Sequence, residues 1–308
     1  MKTGLVIKST GSRYIVLDED GSKTECTIKG RFRIKGIETT NPVAVGDRVR
    51  YVENPGKNSG IITAIEERRN YIIRRASNLS KKYHIIAANI DQSFLMVTLR
   101  MPKTLVEFID RFLATSEAYS IKCSLIFNKT DLYDREDSEK LKYLVNLYSG
   151  IGYPCYCISV KNKENIEPLK TALAGKISLL SGNSGVGKSS LLNLLNPSLN
   201  LKADEISLYH EQGKHVTTFP EMHPMPFGGY VIDTPGLRGF GLIDMQRNEI
   251  YHFFPEIFKK SKECKFHNCL HLNEPGCAVR TAVEKGEIDL MRYRSYLNIL
   301  EDENRKYR

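Results

Sequence analysis

Residues 126–131 read Ile-Phe-Asn-Lys-Thr-Asp, and this "IFNKTD" decides how the middle of the chain is to be understood. An Asn-Lys-x-Asp tetrapeptide at the end of a short apolar run suits the reading of a guanine base. The Asp131 carboxylate can accept two parallel hydrogen bonds, from guanine N1–H and from its exocyclic amine. Adenine lacks that amine and presents an acceptor at N1, so it would leave a buried carboxylate unpaired. Sites built around an obligatory polar pair discriminate strongly. Asn128 would brace the base and its loop, the Lys129 stem would lie along the ring face, and Thr130 completes the tetrapeptide. Ser159 and Val160, which end the following strand "CISV", are placed to cover the base with backbone groups.

A base reader needs a phosphate site. Residues 182–190, Gly182-Asn183-Ser184-Gly185-Val186-Gly187-Lys188-Ser189-Ser190, fit G-x-x-x-x-G-K-[ST] between a strand, "KISLL", and a helix, "SSLLNLLN". The glycines let the backbone curl so that successive N–H groups point at phosphate oxygens, and the helix N-terminus adds partial positive charge. Lys188 supplies a full charge, and the Ser189 hydroxyl would ligate the Mg²⁺ that accompanies GTP. Downstream, Asp233-Thr-Pro-Gly236 follows the β-rich "GGYVI". There Asp233 would orient Mg²⁺ through water and the Gly236 N–H would meet the γ-phosphate. Between these motifs, in "EQGKHVTTFPEM", Thr217 or Thr218 would close on the metal and the γ-phosphate, and the sequence does not choose between them.

The order is unusual: base reader, phosphate loop, switch threonine, DTPG. It is a circular permutation of the arrangement in which the phosphate loop comes first. Permutation preserves packing when domain termini lie close together. It also sends the chain directly from the DTPG turn into the C-terminal segment.

Around these motifs, strands alternate with helices from "QSFLMVTL" to "KISLLSG", the pattern of a doubly wound α/β domain with a parallel sheet. Before it, residues 1 to about 68 hold short alternating segments punctuated by "STGS", "EDGS" and "NPVAVGD", the pattern of a small β-barrel. Within this part "KGRFRIK" (29–35) interleaves basic residues with Phe32, which suits a nucleic-acid-facing strand and equally a solvated barrel face. The basic stretch from Arg68 to Lys82, without an acidic residue, reads as a linker or a phosphate-contacting connector. Beyond 241, "QRNEIYHFFPEIFKKS" and "EIDLMRYRSYLNILEDENRKYR" read as helices separated by a Cys/His-rich loop. The expected division is therefore an OB-type barrel over 1–70, a permuted P-loop GTPase domain over 71–240 and a helical zinc-binding domain over 241–308.

In that last loop, Cys264-x₄-Cys269-x-His271-x₅-Cys277 brings together three thiols and an imidazole, the donors of a closed structural Zn²⁺ site. His267 competes as a ligand, but His271 gives the less cramped spacing. The other cysteines, Cys26, Cys123, Cys155 and Cys157, are expected to be reduced, small hydrophobes.

Composition sets the class. Of 308 residues 41% are hydrophobic and 26% charged, as in soluble globular proteins, and no apolar run is long enough to span a bilayer. With no secretory signal visible in "MKTGLVIKSTGSRY", a cytoplasmic protein without a membrane partner is expected. Lys plus Arg number 45 against 36 Asp plus Glu, a net charge of +9, which favours polyanionic partners, nucleic acid first.

Taken jointly, "NKTD", "GNSGVGKSS", "DTPG" and the CxxxxCxHxxxxxC cluster closely resemble the circularly permuted ribosome-assembly GTPases of the RsgA (YjeQ) family, over the whole chain. The resemblance implies a monomeric GTPase that exchanges GTP and GDP. It would bind the small ribosomal subunit late in maturation, be activated by it, and touch its rRNA through barrel and zinc domain. One position departs from the commoner GTPase pattern: Leu237 follows DTPG, where many GTPases carry a water-orienting Gln. The resemblance points instead to His215, in "GKHVTT", as the catalytic residue that holds the attacking water.

Overall fold

The structure, a computed structural model, describes residues 1–28, 42–75, 83–201, 220–233 and 245–305. The first strands, β1 (Lys2–Ser9), β2 (Tyr14–Leu17), β3 (Lys23–Ile28), β4 (Arg48–Glu53) and β5 (Ser59–Ile65), close on themselves in the order β1-β2-β3-β5-β4-β1. β3 and β5 run parallel and the other neighbours antiparallel. Alternation along β3 and β4 explains the closure: every second side chain is buried, and Val6, Tyr14, Val16, Cys26, Val49, Tyr51 and Ile62 fill the interior. The expected barrel is present. Its candidate RNA-facing stretch, residues 29–35, lies outside the described residues.

Part of the basic stretch after the barrel is a strand rather than a connector, and its residues 76–82 lie outside the described residues. Tyr71–Arg75 forms β6, which pairs antiparallel with β7 (Tyr83–Ala88). Ile72 is buried there, so apolar residues spaced among the arginines gave the segment a core-facing side.

The central sheet follows the alternation of the sequence: β8 (Gln92–Val97), α1 (Val106–Ala118), β9 (Lys122–Phe127), α2 (Arg135–Ile151), β10 (Cys155–Cys157), α3 (Ile166–Leu173), β11 (Ile177–Gly182) and α4 (Lys188–Leu195). Two more strands follow, β12 (Glu221–Pro224) and β13 (Tyr230–Asp233). The parallel order is β10-β9-β8-β11-β13, with β12 antiparallel beside β13. Alternate residues serve opposite faces. Leu95, Val97, Leu125 and Phe127 pack with Phe112 of α1 and Leu144 of α2, whereas Phe94, Met96 and Ile126 pack with Leu169 of α3 and Leu191 of α4. Burial on both faces is why these strands read as continuous apolar runs.

β12 was not visible in the sequence, and it joins the barrel to the sheet. Glu221 lies opposite Lys8 of β1 on one side and opposite Asp233 of β13 on the other. Lys8 Nζ also reaches the Glu221 carboxylate at 3.0 Å.

The C-terminal part is more broken than its sequence suggested. The expected helix over "QRNEIYHFFPEIFKKS" divides into a 3-10 turn (Ile250–Phe253) and α5 (Pro255–Ser261). Pro255 has no N–H to donate and takes the first helical position, where none is required. α6 (Ala278–Glu284) is capped by Cys277, within what read as loop, and α7 is Leu290–Arg305. This module packs on α1: Ala114 joins Phe254, Ile257, Val279 and Tyr296 in one core. Arg292 of α7, fully buried, donates to Asp110 of α1 at 2.7 Å and to Glu256 of α5 at 2.7 and 3.2 Å. Among the described residues no helix is long and apolar enough to cross a membrane.

Candidate nucleotide site and metal centre

β8, β9 and β11 are adjacent, so their C-terminal ends place the tetrapeptide beside the phosphate loop, where open α/β sheets bind ligands. Asn128, almost fully buried, holds three segments together. Its Nδ2 donates to the Val186 carbonyl at 2.8 Å, its Oδ1 accepts from the Val160 amide at 3.1 Å, and its own amide donates to the Val97 carbonyl at 2.9 Å. Lys129 adopts a left-handed backbone (φ 63°) and its ammonium donates to Gly185 O at 2.8 Å and to Met101 O. Burial lowers its pKa from the ordinary lysine value, while Asp131 opposes that shift. Thr130 opens a 3-10 turn, Thr130–Leu132, that presents Asp131.

Ser159 contributes more than the expected backbone. Its buried hydroxyl donates to Asp131 Oδ1 at 2.6 Å and accepts from the Asn162 amide at 3.1 Å. A carboxylate accepts at about four lone-pair positions, so this bond fixes the Asp131 plane and leaves acceptors for a base edge. Tyr133 went unnoticed in the sequence, where nothing marks it. Its hydroxyl donates to the Asn128 carbonyl at 2.7 Å and accepts from the Leu99 amide at 3.0 Å.

In the phosphate loop, β11 ends at Gly182 and α4 starts at Lys188. Two glycines are required by space as well as by conformation. A Cβ on Gly182 (φ +152°) would stand 2.4 Å from Met96 O, and one on Gly187 (φ +106°) would stand 2.6 Å from Asn128 Nδ2. Val186 is buried in the core beneath the loop and anchors it. The Lys188 ammonium lies over the loop, donating to Gly182 O at 2.8 Å and Asn183 O at 3.1 Å. Ser184 lies within the loop, and Ser189 and Ser190 are in the first turn of α4. Asp233 ends β13, beside β11 and in register with Leu180. His215, Thr217, Thr218, Gly236 and Leu237 lie outside the described residues.

The C-terminal cluster is a second site. The donor atoms of Cys264, Cys269, His271 and Cys277 all lie within 4.8 Å of one another, and all but Cys264 are buried. His271 Nδ1 stands 3.6 Å from Cys264 Sγ and 3.5 Å from Cys277 Sγ. A tetrahedral ion bound at about 2.3 Å to sulfur and about 2.0 Å to nitrogen needs an S···N edge of about 3.5 Å, so the donors fit. Burial pushes the Cys269 thiol up to about 12 and raises Cys277, a cost that a cation would remove by holding thiolates. Glu274 braces the loop by accepting from the Leu270 and Leu272 amides at 2.8 Å each, and Tyr296 donates to Leu270 O at 2.7 Å. His267 is exposed and outside the cluster.

Comparison with known proteins places these features in one lineage. The RsgA GTPase family model matches residues 65–243, and the RsgA N-terminal domain model matches residues 3–62. The "Small ribosomal subunit biogenesis GTPase RsgA" of Phocaeicola vulgatus is 57% identical over 306 residues, covering 99% of this chain and 98% of the relative. Among solved structures, YjeQ from Thermotoga maritima aligns with a TM-score of 0.77 at 37% identity, covering 98% of each chain. YloQ, described as a circularly permuted GTPase, aligns with a TM-score of 0.75 at 31% identity over 99% of this chain and 96% of that one. An Asn-Lys-x-Asp loop bonded to a G-x-x-x-x-G-K-S loop that follows it in sequence, a closed N-terminal barrel and a Cys₃His cluster thus occur together in a GTP hydrolase, and the chain belongs to the RsgA GTPase family.

Proposed function

We propose that this GTPase binds the small ribosomal subunit and assists its late maturation, hydrolysing GTP when stimulated by the subunit and leaving under nucleotide control. The observation that carries the reading is the bond from Asn128 to the Val186 carbonyl, which unites guanine reader and phosphate loop in one site. The name borne by relatives above half identical over nearly the whole chain supplies the partner. Guanine would be read by Asp131, oriented by Ser159 and flanked by Asn128, Lys129 and Thr130. The phosphates would lie in the cradle of residues 182–190 under the Lys188 ammonium.

Mg²⁺ bound with GTP would neutralise charge at the β- and γ-phosphates. Ser189 and Asp233 would hold it, together with Thr217 or Thr218, and Gly236 would contact the γ-phosphate. His215 is assigned to position the attacking water, since Leu237 has no group that can. In the C-terminal module, one structural Zn²⁺ is the ion that three thiols and one imidazole favour. The division into residues 1–70, 71–240 and 241–308 is supported by the barrel ending at β5, the sheet spanning β8 to β13 and the core around the cluster, which is built mainly from residues after 241. The net charge of +9 fits rRNA contacts from barrel and zinc module by a cytoplasmic monomer.

The test is phosphate release from GTP and from ATP, with and without purified small subunits. GTP turnover that rises on adding subunits is expected. A flat rate would sink the subunit reading, and a preference for ATP would sink the guanine assignment.

A further inference from the structure

A loop outside the nucleotide motifs ties both halves of the site together. Residues 98–104, between β8 and α1, are closed on themselves: the Thr104 amide donates to Thr98 O at 2.9 Å, and the Thr98 hydroxyl donates to Pro102 O. Two side chains of the guanine-reading segment reach into this loop. The Lys129 ammonium joins Met101 O to Gly185 O of the phosphate loop. The Tyr133 hydroxyl joins the Leu99 amide, at 3.0 Å, to the Asn128 carbonyl, at 2.7 Å.

Tyr133 is well placed for this task. It follows directly on the 3-10 turn that presents Asp131, and its amide donates to the carbonyl of Thr130 at 3.2 Å. The next residue, Asp134, caps α2 by accepting from the Asp137 amide at 2.9 Å. The ring packs against the core shared by β8, β9 and α2, so the hydroxyl sits at a fixed height beneath the turn. Leu99 and Asn128 are both buried, so water is poorly placed to replace the hydroxyl as a partner for their backbone groups.

We propose that Tyr133 is a positioning residue for guanine selectivity, its hydroxyl clamping the 98–104 loop to Asn128 and so setting the height at which Asp131 meets the base edge. The inference rests on the assignment of Asp131 as the guanine reader. Tyr133 does not touch the nucleotide; it acts through the backbone of Asn128 and the turn that follows. A loosened turn gives Asp131 more than one position, and the second hydrogen bond of a bidentate pair is the first to suffer.

The experiment compares GTP with inosine triphosphate, which lacks only the exocyclic amine, in subunit-stimulated turnover by the full chain. Tyr133→Phe keeps the ring and removes the clamp. It removes both hydrogen bonds of the clamp and is expected to weaken GTP by about five- to tenfold, the part of that loss which reaches the base contact, with the change in KM rather than kcat. The preference for GTP over inosine triphosphate is expected to narrow as well, which a general loss of stability would not produce. Asp131→Ala is the reference. If it abolishes the preference while Tyr133→Phe keeps both the preference and the KM, the role of Tyr133 is overturned and the guanine reader stands. If Asp131→Ala keeps the preference, the guanine assignment itself fails. A second measurement uses the unaltered chain: amide hydrogen exchange at Leu99 should slow when GDP binds, and exchange that ignores GDP would overturn the clamp.

Discussion

The side-chain amide of Asn128 donates a 2.8 Å hydrogen bond to the carbonyl of Val186, across 58 positions of the chain. That bond makes one site of two motifs whose order in the sequence is reversed from the common one. A hydrogen bond depends on which strand ends are neighbours, not on which was synthesised first. Because β8 lies between β9 and β11, the two loops meet over its end whichever precedes the other.

Removing the bridge should therefore damage nucleotide binding more than its small volume suggests. Asn128→Ala deletes the bonds to Val186 O and from the Val160 amide, in a buried setting. Two such bonds at about 1–1.5 kcal/mol each correspond to a loss of GDP affinity of about 30- to 150-fold. Titration with a fluorescent GDP analogue would measure it, and a loss below threefold would show that the bridge is dispensable.

Gly187 tests the same contact from the other side. In Gly187→Ala the new methyl would meet Asn128 Nδ2 at 2.6 Å, on a backbone at φ +106°. Strain of about 1–3 kcal/mol is expected, concentrated in the loop. Nucleotide binding should collapse while the far-ultraviolet circular dichroism stays close to that of the unaltered chain. Undiminished GDP binding would refute the argument.

The buried ion pair between α1 and α7 makes a stability prediction. Arg292 and Asp110 are both fully buried, and Tyr148 also donates to Asp110 at 2.8 Å. Arg292→Met would strand the carboxylate and should cost about 3–5 kcal/mol. Joint replacement with Asp110→Asn should cost less than the sum of the two single changes, because Arg292→Met alone leaves a buried carboxylate without its cation and Asp110→Asn alone removes the charge that Arg292 faces on α1. Urea unfolding of the four species measures the coupling, and strict additivity would mean that the pair does not couple the two modules.

Metal removal should loosen one module and spare the other. Cys269→Ser, or exhaustive chelation, should take bound zinc from about one equivalent per chain to near zero by elemental analysis. The core around Phe254, Ile257 and Tyr296 should then exchange amide hydrogens faster, whereas β8, β9 and β11 should not. Full zinc occupancy in Cys269→Ser would remove Cys269 from the ligand set.

Local chemistry made much of this legible in advance. The glycines at 182 and 187, the lysine at 188 and the Asn-Lys-x-Asp spacing follow from short-range backbone geometry and from the proposed fit to phosphate and base, so they show in a linear string. The barrel and the parallel sheet announced themselves through periodicity, alternating where one face is wet and continuous where both are dry. His271 was preferred to His267 from spacing alone, and the cluster brings His271 to its three cysteines.

What the sequence could not determine involves partners far apart in the chain. Nothing local marks Tyr133, because its hydroxyl bonds to the Leu99 amide, 34 positions away, and to a backbone carbonyl. The same holds for Ser159, whose side chain rather than backbone meets Asp131, and for β12, a strand of 4 residues with too few positions to show a period. The seam from Lys8 through Glu221 to Asp233 spans three strands that only the folded chain makes neighbours. Residue types and their spacing determined the chemistry of this GTPase, because donors, acceptors and turns are local properties. Tertiary packing alone decided which backbone groups hold that chemistry in place, because a carbonyl or an amide carries no signature of its own until the fold brings a side chain to it.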